Sequence, residues 1–381
     1  SYIYSPFFYY QVGSALAVGK LFGAIPGETS LDYYLKNPDD FKSFYICGRI
    51  LFVLYGIFVP WIVYFCARRL ACRPGRSFFA AALVGTLPLV VISAKFIKPE
   101  APALFYNALA LFFSIGILRY GRWRDYILSG ICIGLAGATK YPAVFCCLYA
   151  IMYHVVRRKN NFNLKHPFIR DDLRLVLSGV IAGATFLILN PTIIVDLPRF
   201  LGDLQWIQSV SREGNPLYNM FDATMLYCYD AFFYTMGFAA FTVMVAGVVY
   251  VCVRPRRAYI LLLPTIASFV WLASKGLYAE AYLIPAYVPL GLLAARAVFA
   301  VKPRYVKYGI AAFVLVMTFA WTTAWNSAAQ AENARITAVR WINENIPSGS
   351  SIAIERYPVS YRVPMFDPAR YKTVIRDIDG D

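Results

Sequence analysis

The chain has 381 residues, of which 59% are hydrophobic and 15% charged, against about 25% charged in a soluble domain; a soluble globular protein is excluded. Its formal net charge is +16. The basic residues gather at alternate ends of apolar runs, which argues for a polytopic membrane protein and against a nucleic-acid partner.

Residues 5–23 are apolar, with Lys20 their only charge and Pro6 where a helix would begin. They predict an interfacial helix rather than a span. A polar connector follows, in which Asp39-Asp40 read as a solvated pair or helix cap. Ten apolar segments then have helix-compatible length: 45–66, 77–94, 101–118, 126–139, 141–156, 175–190, 231–253, 258–274, 281–300 and 308–325. Helices are expected because a backbone in hydrocarbon must satisfy its own hydrogen bonds.

The basic clusters at 68–76, 119–124, 157–174, 254–257 and 302–307 are assigned to the cytoplasm. Residues 1–44, 95–100, 191–230, 275–280 and 326–381 then share the outer face. Of 21 acids, only Asp125, Asp171 and Asp172 are left on the cytoplasmic side.

Lys98-Pro99-Glu100 sets a carboxylate at a membrane boundary between two apolar runs. A lone acid there is costly unless paired or solvated, and marks a functional candidate. Glutamate in a first helical turn is also ordinary helix-start chemistry. Lys140 divides the segments 126–139 and 141–156. Fourteen residues at about 1.5 Å each rise about 21 Å, short of the roughly 30 Å hydrocarbon core, so its ammonium is expected below the outer surface. A buried lysine there needs an anion; a snorkelling or helix-capping lysine is the structural alternative.

The outer segment 190–230 predicts an amphipathic helix ending at Arg212-Glu213-Gly214, followed by an aromatic boundary belt. Lys275, Glu280 and Tyr282 make another outer boundary. Lys95, Lys98, Lys140, Arg212 and Lys275 are basic groups that this topology gathers on one side, where they could bind a phosphate. After the last span, residues 332–347 read as a helix and 348–358 as a turn and strand, the start of a small α/β element.

The eight cysteines show no disulfide framework, and no Cys/His spacing suits zinc. Dinucleotide, Walker-type and Ser/His/Asp patterns are absent. A domain plan follows: an outer loop with interfacial helix (1–44), a transmembrane domain (45–325) and an outer C-terminal segment (326–381), with a further piece expected upstream of Ser1.

Four stretches carry a resemblance: YSPFFYYQVGSALAVGKLFG, SAKFIKPEAPALFYNALALFF, GLAGATKYPAVF and SKGLYAEAYLIPAYVPLGLL. With these, the sequence resembles the GT-C polytopic glycosyltransferases, in the branch of protein O-mannosyltransferases and bacterial aminoarabinose transferases. The resemblance implies an all-α transmembrane domain that transfers a sugar, with inversion, from a polyprenyl- or dolichyl-phosphate donor to a lipid, glycan or protein acceptor. The site would face outward from a bacterial inner membrane. Glu100 occupies the place of the family's second acid. Arg212 and Tyr282 are implied donor-phosphate ligands, joined by Lys275, Lys140 and Lys98. The family's principal acid precedes the Pro-aromatic stretch, where this chain has Ser1-Tyr2-Ile3-Tyr4; it is expected upstream. No resident cofactor is implied, though a divalent cation could be held by the acids. A transporter or flippase for lipid-linked glycans is the alternative, and would show paired interrupted helices; one interruption, at Lys140, is evident.

Overall fold

The computed structural model describes residues 5–28, 33, 38–160, 169–213, 235–273, 280–330, 334–355 and 370–376, most of them helical. They fall into two compact units, Ser1–Thr323 and Ala324–Asp381.

The first unit opens with α1 (Pro6–Leu21), with proline in its first turn as expected. It stops at Gly23, whose φ of +70° suits glycine. Next, α2 (Pro38–Arg69) runs 32 residues, longer than the predicted span and starting inside the presumed 1–44 loop. The segment 77–94 is not one helix. It forms α3 (Pro74–Gly85) and α4 (Pro88–Lys95), bent by 56°. Pro88 has no N–H, and its ring forces the preceding residue out of helical geometry, so Leu87 is extended at φ −65°, ψ 132°. Thr86 Oγ1 donates to the Ala82 carbonyl at 2.7 Å, and the Thr86 carbonyl accepts from Thr322 Oγ1 at 2.5 Å. The break is therefore hydrogen-bonded on both sides.

Helix α5 (Glu100–Arg119) is central: 67% of its apolar stretch is buried. It packs on α2 and on α6 (Trp123–Thr139). A 3₁₀ turn (Tyr141–Cys146) and α7 (Cys147–Asn160) follow. Helix α8 (Ile169–Leu189), only 6% buried over its apolar stretch, packs on α6 from outside the core.

That α6–α8 contact is made by small residues. A Cβ on Gly130 would lie 2.4 Å from the Ser178 carbonyl oxygen, and one on Gly134 would lie 2.6 Å from that of Ala182. Glycines four apart let the two backbones touch, as helices do where lipid gives no hydrophobic push between them. Polar groups fasten α6, α7 and α8 further along. Tyr126 Oη and His154 Nδ1 are 2.7 Å apart, His154 Nε2 and Asp172 Oδ1 3.1 Å, and Arg158 donates to the same Asp172 oxygen at 3.2 Å.

Short helices α9 (Pro191–Val195) and α10 (Leu197–Glu213) lead to α11 (Phe238–Val253). The segments 258–274 and 281–300 are also interrupted, contrary to expectation. The first splits into α12 (Arg257–Ile260) and α13 (Leu263–Ala273), at a turn just ahead of Pro264. The second begins with 3₁₀ turns (Glu280–Tyr282 and Ile284–Ala286, the latter with proline in its first turn) before α14 (Tyr287–Val298). Helix α15 (Arg304–Gln330) follows. Among the described residues, four helices are long and apolar enough to cross a membrane, or five if the bent pair is one span; Phe238–Val253, Arg257–Leu272 and Ile284–Val298 are shorter apolar helices. The chain is an integral membrane protein with several apolar helices; among the described residues these are a mixture of long, bent and broken ones, and ten separate spans are not distinguished.

In the second unit, α16 (Ala334–Asn345) precedes two parallel strands, β1 (Ser351–Glu355) and β2 (Lys372–Arg376), in register from Ser351 opposite Lys372. Tyr371 Oη lies 3.2 Å from the carbonyls of Ile342 and Ile346, tying the start of β2 to the end of α16. This is the small α/β element expected from the sequence.

Candidate active site around Glu100 and Lys140

Glu100 is the first residue of α5, preceded by Pro99. The carboxylate thus sits where the helix exposes N–H groups and the positive end of its dipole. Lys140 is the residue at which α6 stops. Its backbone is extended, at φ −149° and ψ 115°, between the last α turn and the 3₁₀ turn that carries Pro142. This departure from helical geometry lets the side chain leave the α6 axis. Lys140 Nζ meets Glu100 Oε1 at 2.9 Å, with side-chain exposures of 18% and 12%. The anion that a half-buried lysine requires is therefore Glu100. The lysine is neither snorkelling nor a simple cap.

Tyr282, at the end of its 3₁₀ turn, completes the cluster. Lys140 Nζ lies 4.8 Å from the centre of its ring, a distance at which the ring quadrupole attracts a cation. Glu100 Oε2 is buried and has no hydrogen-bond partner among the described residues. One carboxylate oxygen is engaged and the other is available, so the site can accept a donor.

The floor beside Lys140 is built by α1, through residues for which the sequence offered no reading. Ser5 Oγ donates to the Ala138 carbonyl and contacts Asn190 Oδ1 at 2.7 Å. Asn190 Oδ1 also accepts the Phe7 N–H at 3.0 Å, while its Nδ2 donates to Phe186 O at 3.0 Å. An amide from the end of α8 thereby satisfies one of the orphan donors at the start of α1. Gln11 Nε2 donates to Thr139 Oγ1 at 3.2 Å, and Gln11 Oε1 is a buried acceptor without a partner among the described residues. The Asn190-Pro191 pair is a turn signal that could have drawn attention; Gln11 was visible only as a polar residue in an apolar run.

The other expected ligands are placed less closely. Lys98 is exposed, with its ammonium 5.7 Å from the Phe96 ring, and no contact among the described residues joins it to the cluster. Arg212 belongs to the last turn of α10, but its side chain lies outside the described residues. So do Lys275 and the side chains of Glu280, Asp39 and Asp40. Among the described residues, no group of three or more His, Cys, Asp and Glu side chains is arranged to hold a metal ion.

Residues 46–181 match the family model described as dolichyl-phosphate-mannose-protein mannosyltransferase. This stretch contains both Glu100 and Lys140. No curated protein matches the chain. Among solved structures, it is similar to the archaeal oligosaccharyltransferase AglB from Archaeoglobus fulgidus, solved in complex with an inhibitory peptide and a dolichol-phosphate. The TM-score is 0.53 at 17% identity, over 90% of this chain and 50% of that one. At that identity the fold alone is shared, and the present chain spans half the length of the archaeal protein. The family match and the shared fold both support the resemblance to GT-C polytopic glycosyltransferases.

Proposed function

We propose that this chain carries the membrane-embedded part of a glycosyltransferase that moves a sugar from a polyprenyl- or dolichyl-phosphate donor to an acceptor hydroxyl, with inversion, on the outer face of the membrane. The observation that carries the reading is the Lys140–Glu100 pair at 2.9 Å. An ammonium, a carboxylate with an unused oxygen and an aromatic ring meet where α5 starts, where α6 gives way to a 3₁₀ turn, and in the 3₁₀ turn Glu280–Tyr282. Non-helical backbone at membrane depth is tolerated where it lines a cavity or is buried in protein.

In this reading the acceptor oxygen attacks the anomeric carbon from the face opposite the phosphate, which leaves with the electron pair of the broken C–O bond. The acceptor proton passes to a carboxylate. Lys140 and Tyr282, with Arg212 and Lys275, hold the departing phosphate by charge-assisted and phenolic hydrogen bonds. Glu100 orients the acceptor through Oε2. The Ser5–Ala138 contact brings the start of α1 to within two residues of Lys140 in the sequence. A phosphate that approaches Lys140 also replaces Glu100 as its counter-anion, freeing the whole carboxylate for the acceptor.

The fold of a protein solved with dolichol-phosphate and a peptide suits a lipid-linked donor and a protein or glycan acceptor. The test is transfer itself: the full-length protein is reconstituted in liposomes with radiolabelled polyprenyl-phosphate sugars. Label appearing in a lipid, glycan or peptide acceptor, with inverted anomeric configuration, is the expected result.

The broken helices at 86–87 and 261–262 favour a second reading, a transporter or flippase for lipid-linked glycans. The same liposomes separate the two. Movement of labelled lipid between leaflets, without transfer of the sugar, supports the transporter.

A further inference from the structure

We propose that the end of the bundle remote from Glu100 carries a second binding site, for the phosphate group of an anionic lipid, formed by Arg76, Arg296 and Tyr259. Helix α5 starts at Glu100 and finishes at Arg119, whose Nη1 donates to the Arg69 carbonyl at 3.0 Å. Arg69 ends α2, and α3 begins five residues later, so Arg76 belongs to the end opposite the Lys140 cluster.

The two guanidiniums converge on one ring. Arg76 Nη2 donates to Tyr259 Oη at 2.8 Å, with its Cζ 5.2 Å from the ring centre. Arg296 Cζ lies 4.9 Å from the same ring and 5.4 Å from that of Tyr250. Arg296 is only 7% exposed. The Nε atoms of both arginines are buried and have no hydrogen-bond partner among the described residues. The remaining contact of Arg296, from Nη2 to the Arg254 carbonyl, is long at 3.4 Å. Arg256 and Arg76 both repel it electrostatically.

Nothing described here neutralises this charge. Two described acids that the charge alternation leaves on this side are already engaged: Asp125 lies 3.7 Å from Arg69, and Asp172 meets His154 and Arg158. Arg76 stands in the first turn of α3, which contains no acid and where the helix dipole adds roughly half a positive charge. The C-terminal carbonyls of α14 give Arg296 about half a negative charge in return. A net excess of more than one positive charge remains in a poorly solvated place. A buried charge of that kind is paired in a stable protein.

A phosphate fits the shape of the demand, because guanidinium forks bind its oxygens in pairs and a phenol supplies another donor. The flanks fit a lipid. Phe78, Val253 and Ile260, adjacent in sequence to these groups, are apolar and exposed. Basic pockets between membrane helices are a recognised place for anionic head groups. This site is independent of sugar transfer, and its failure would leave that reading untouched.

The experiment uses the full-length protein in nanodiscs of phosphatidylcholine with or without phosphatidylglycerol, scored by native mass spectrometry and thermal unfolding. Phosphatidylglycerol should be retained through delipidation and should raise the Tm of the wild type. Arg76→Gln and Arg296→Gln should each weaken retention about tenfold, the size of one charge-assisted hydrogen bond. Arg304→Gln, exposed at the start of α15, should change it far less. Should Arg296→Gln fail to fold, Arg296→Lys keeps the charge without the fork and should still lower retention. A parallel arm adds inorganic phosphate to lipid-free protein in detergent. Stabilisation by phosphate that depends on both arginines, with no effect of phosphatidylglycerol, supports the phosphate site and rejects a lipid as its source. Equal retention by wild type and both arginine variants overturns the site.

Discussion

Lys140 and Glu100, forty residues apart in the chain, meet at 2.9 Å where α6 stops and α5 starts. A half-buried pair of this kind adds little net stability, because desolvation offsets most of the attraction, but removing one partner strands the other. The pair is therefore best probed from both sides.

Glu100→Gln retains the shape and a hydrogen bond to Lys140 while removing the charge. In the proposed enzyme, sugar transfer should fall by about 10²-fold or more, the usual loss for an acid–base or electrostatic group. Expression and unfolding temperature should change little. Turnover measured on the full-length protein decides it: wild-type rates would return Glu100 to the role of a helix-start acid.

Lys140→Gln leaves the Glu100 carboxylate without its ammonium. Stability should fall by about 1–3 kcal/mol, the cost of an unsatisfied buried polar group. The double variant Lys140→Gln/Glu100→Gln should recover part of this loss, since residues in contact are not additive. Thermal unfolding of the four proteins gives the coupling directly. Donor affinity should be impaired in both Lys140 variants, with no recovery in the double one, because the phosphate ligand is gone from each.

Arg212→Ala should raise the KM for the lipid-linked donor by about tenfold, for loss of one charge-assisted contact. Its fold should be unaffected. A variant with unchanged KM would remove Arg212 from the donor site and leave Lys140 and Tyr282 as the phosphate ligands.

Gly130→Val places a branched side chain where a single Cβ would already be 2.4 Å from the Ser178 carbonyl. The obstacle is backbone, which cannot rotate away. Destabilisation of about 1–3 kcal/mol is expected from overpacking. Gly179→Ala, at a position with open space around the new methyl, is the matching control and should unfold like the wild type.

The parts legible in the sequence are those with a charge in the wrong solvent. Glu100 and Lys140 each announced themselves by position beside apolar runs, but sequence has no means of stating that α5 and α6 align these two ends. Asn190, Ser5, Gln11 and Thr139 went unread because neutral polar residues carry no periodicity, and their value comes only from the partners that folding supplies. The helix breaks ahead of Pro88 and Pro264 were written plainly enough, yet hydropathy counts a proline as one more residue in an apolar run. The C-terminal strand was read correctly from its β-branched and turn residues, whereas its parallel partner, β2, has its register in a segment too short to show a pattern.

In the proposed enzyme, the contact between α6 and α8 also bears on how a lipid carrier would reach Lys140. Where one added methyl would strike a carbonyl oxygen at Gly130 or Gly134, there is no width for an isoprene unit. This seam is a closed wall. In the proposed enzyme, a polyisoprenoid tail bound at the Lys140 cluster therefore runs out into the bilayer by a route that does not pass between α6 and α8 at these glycines.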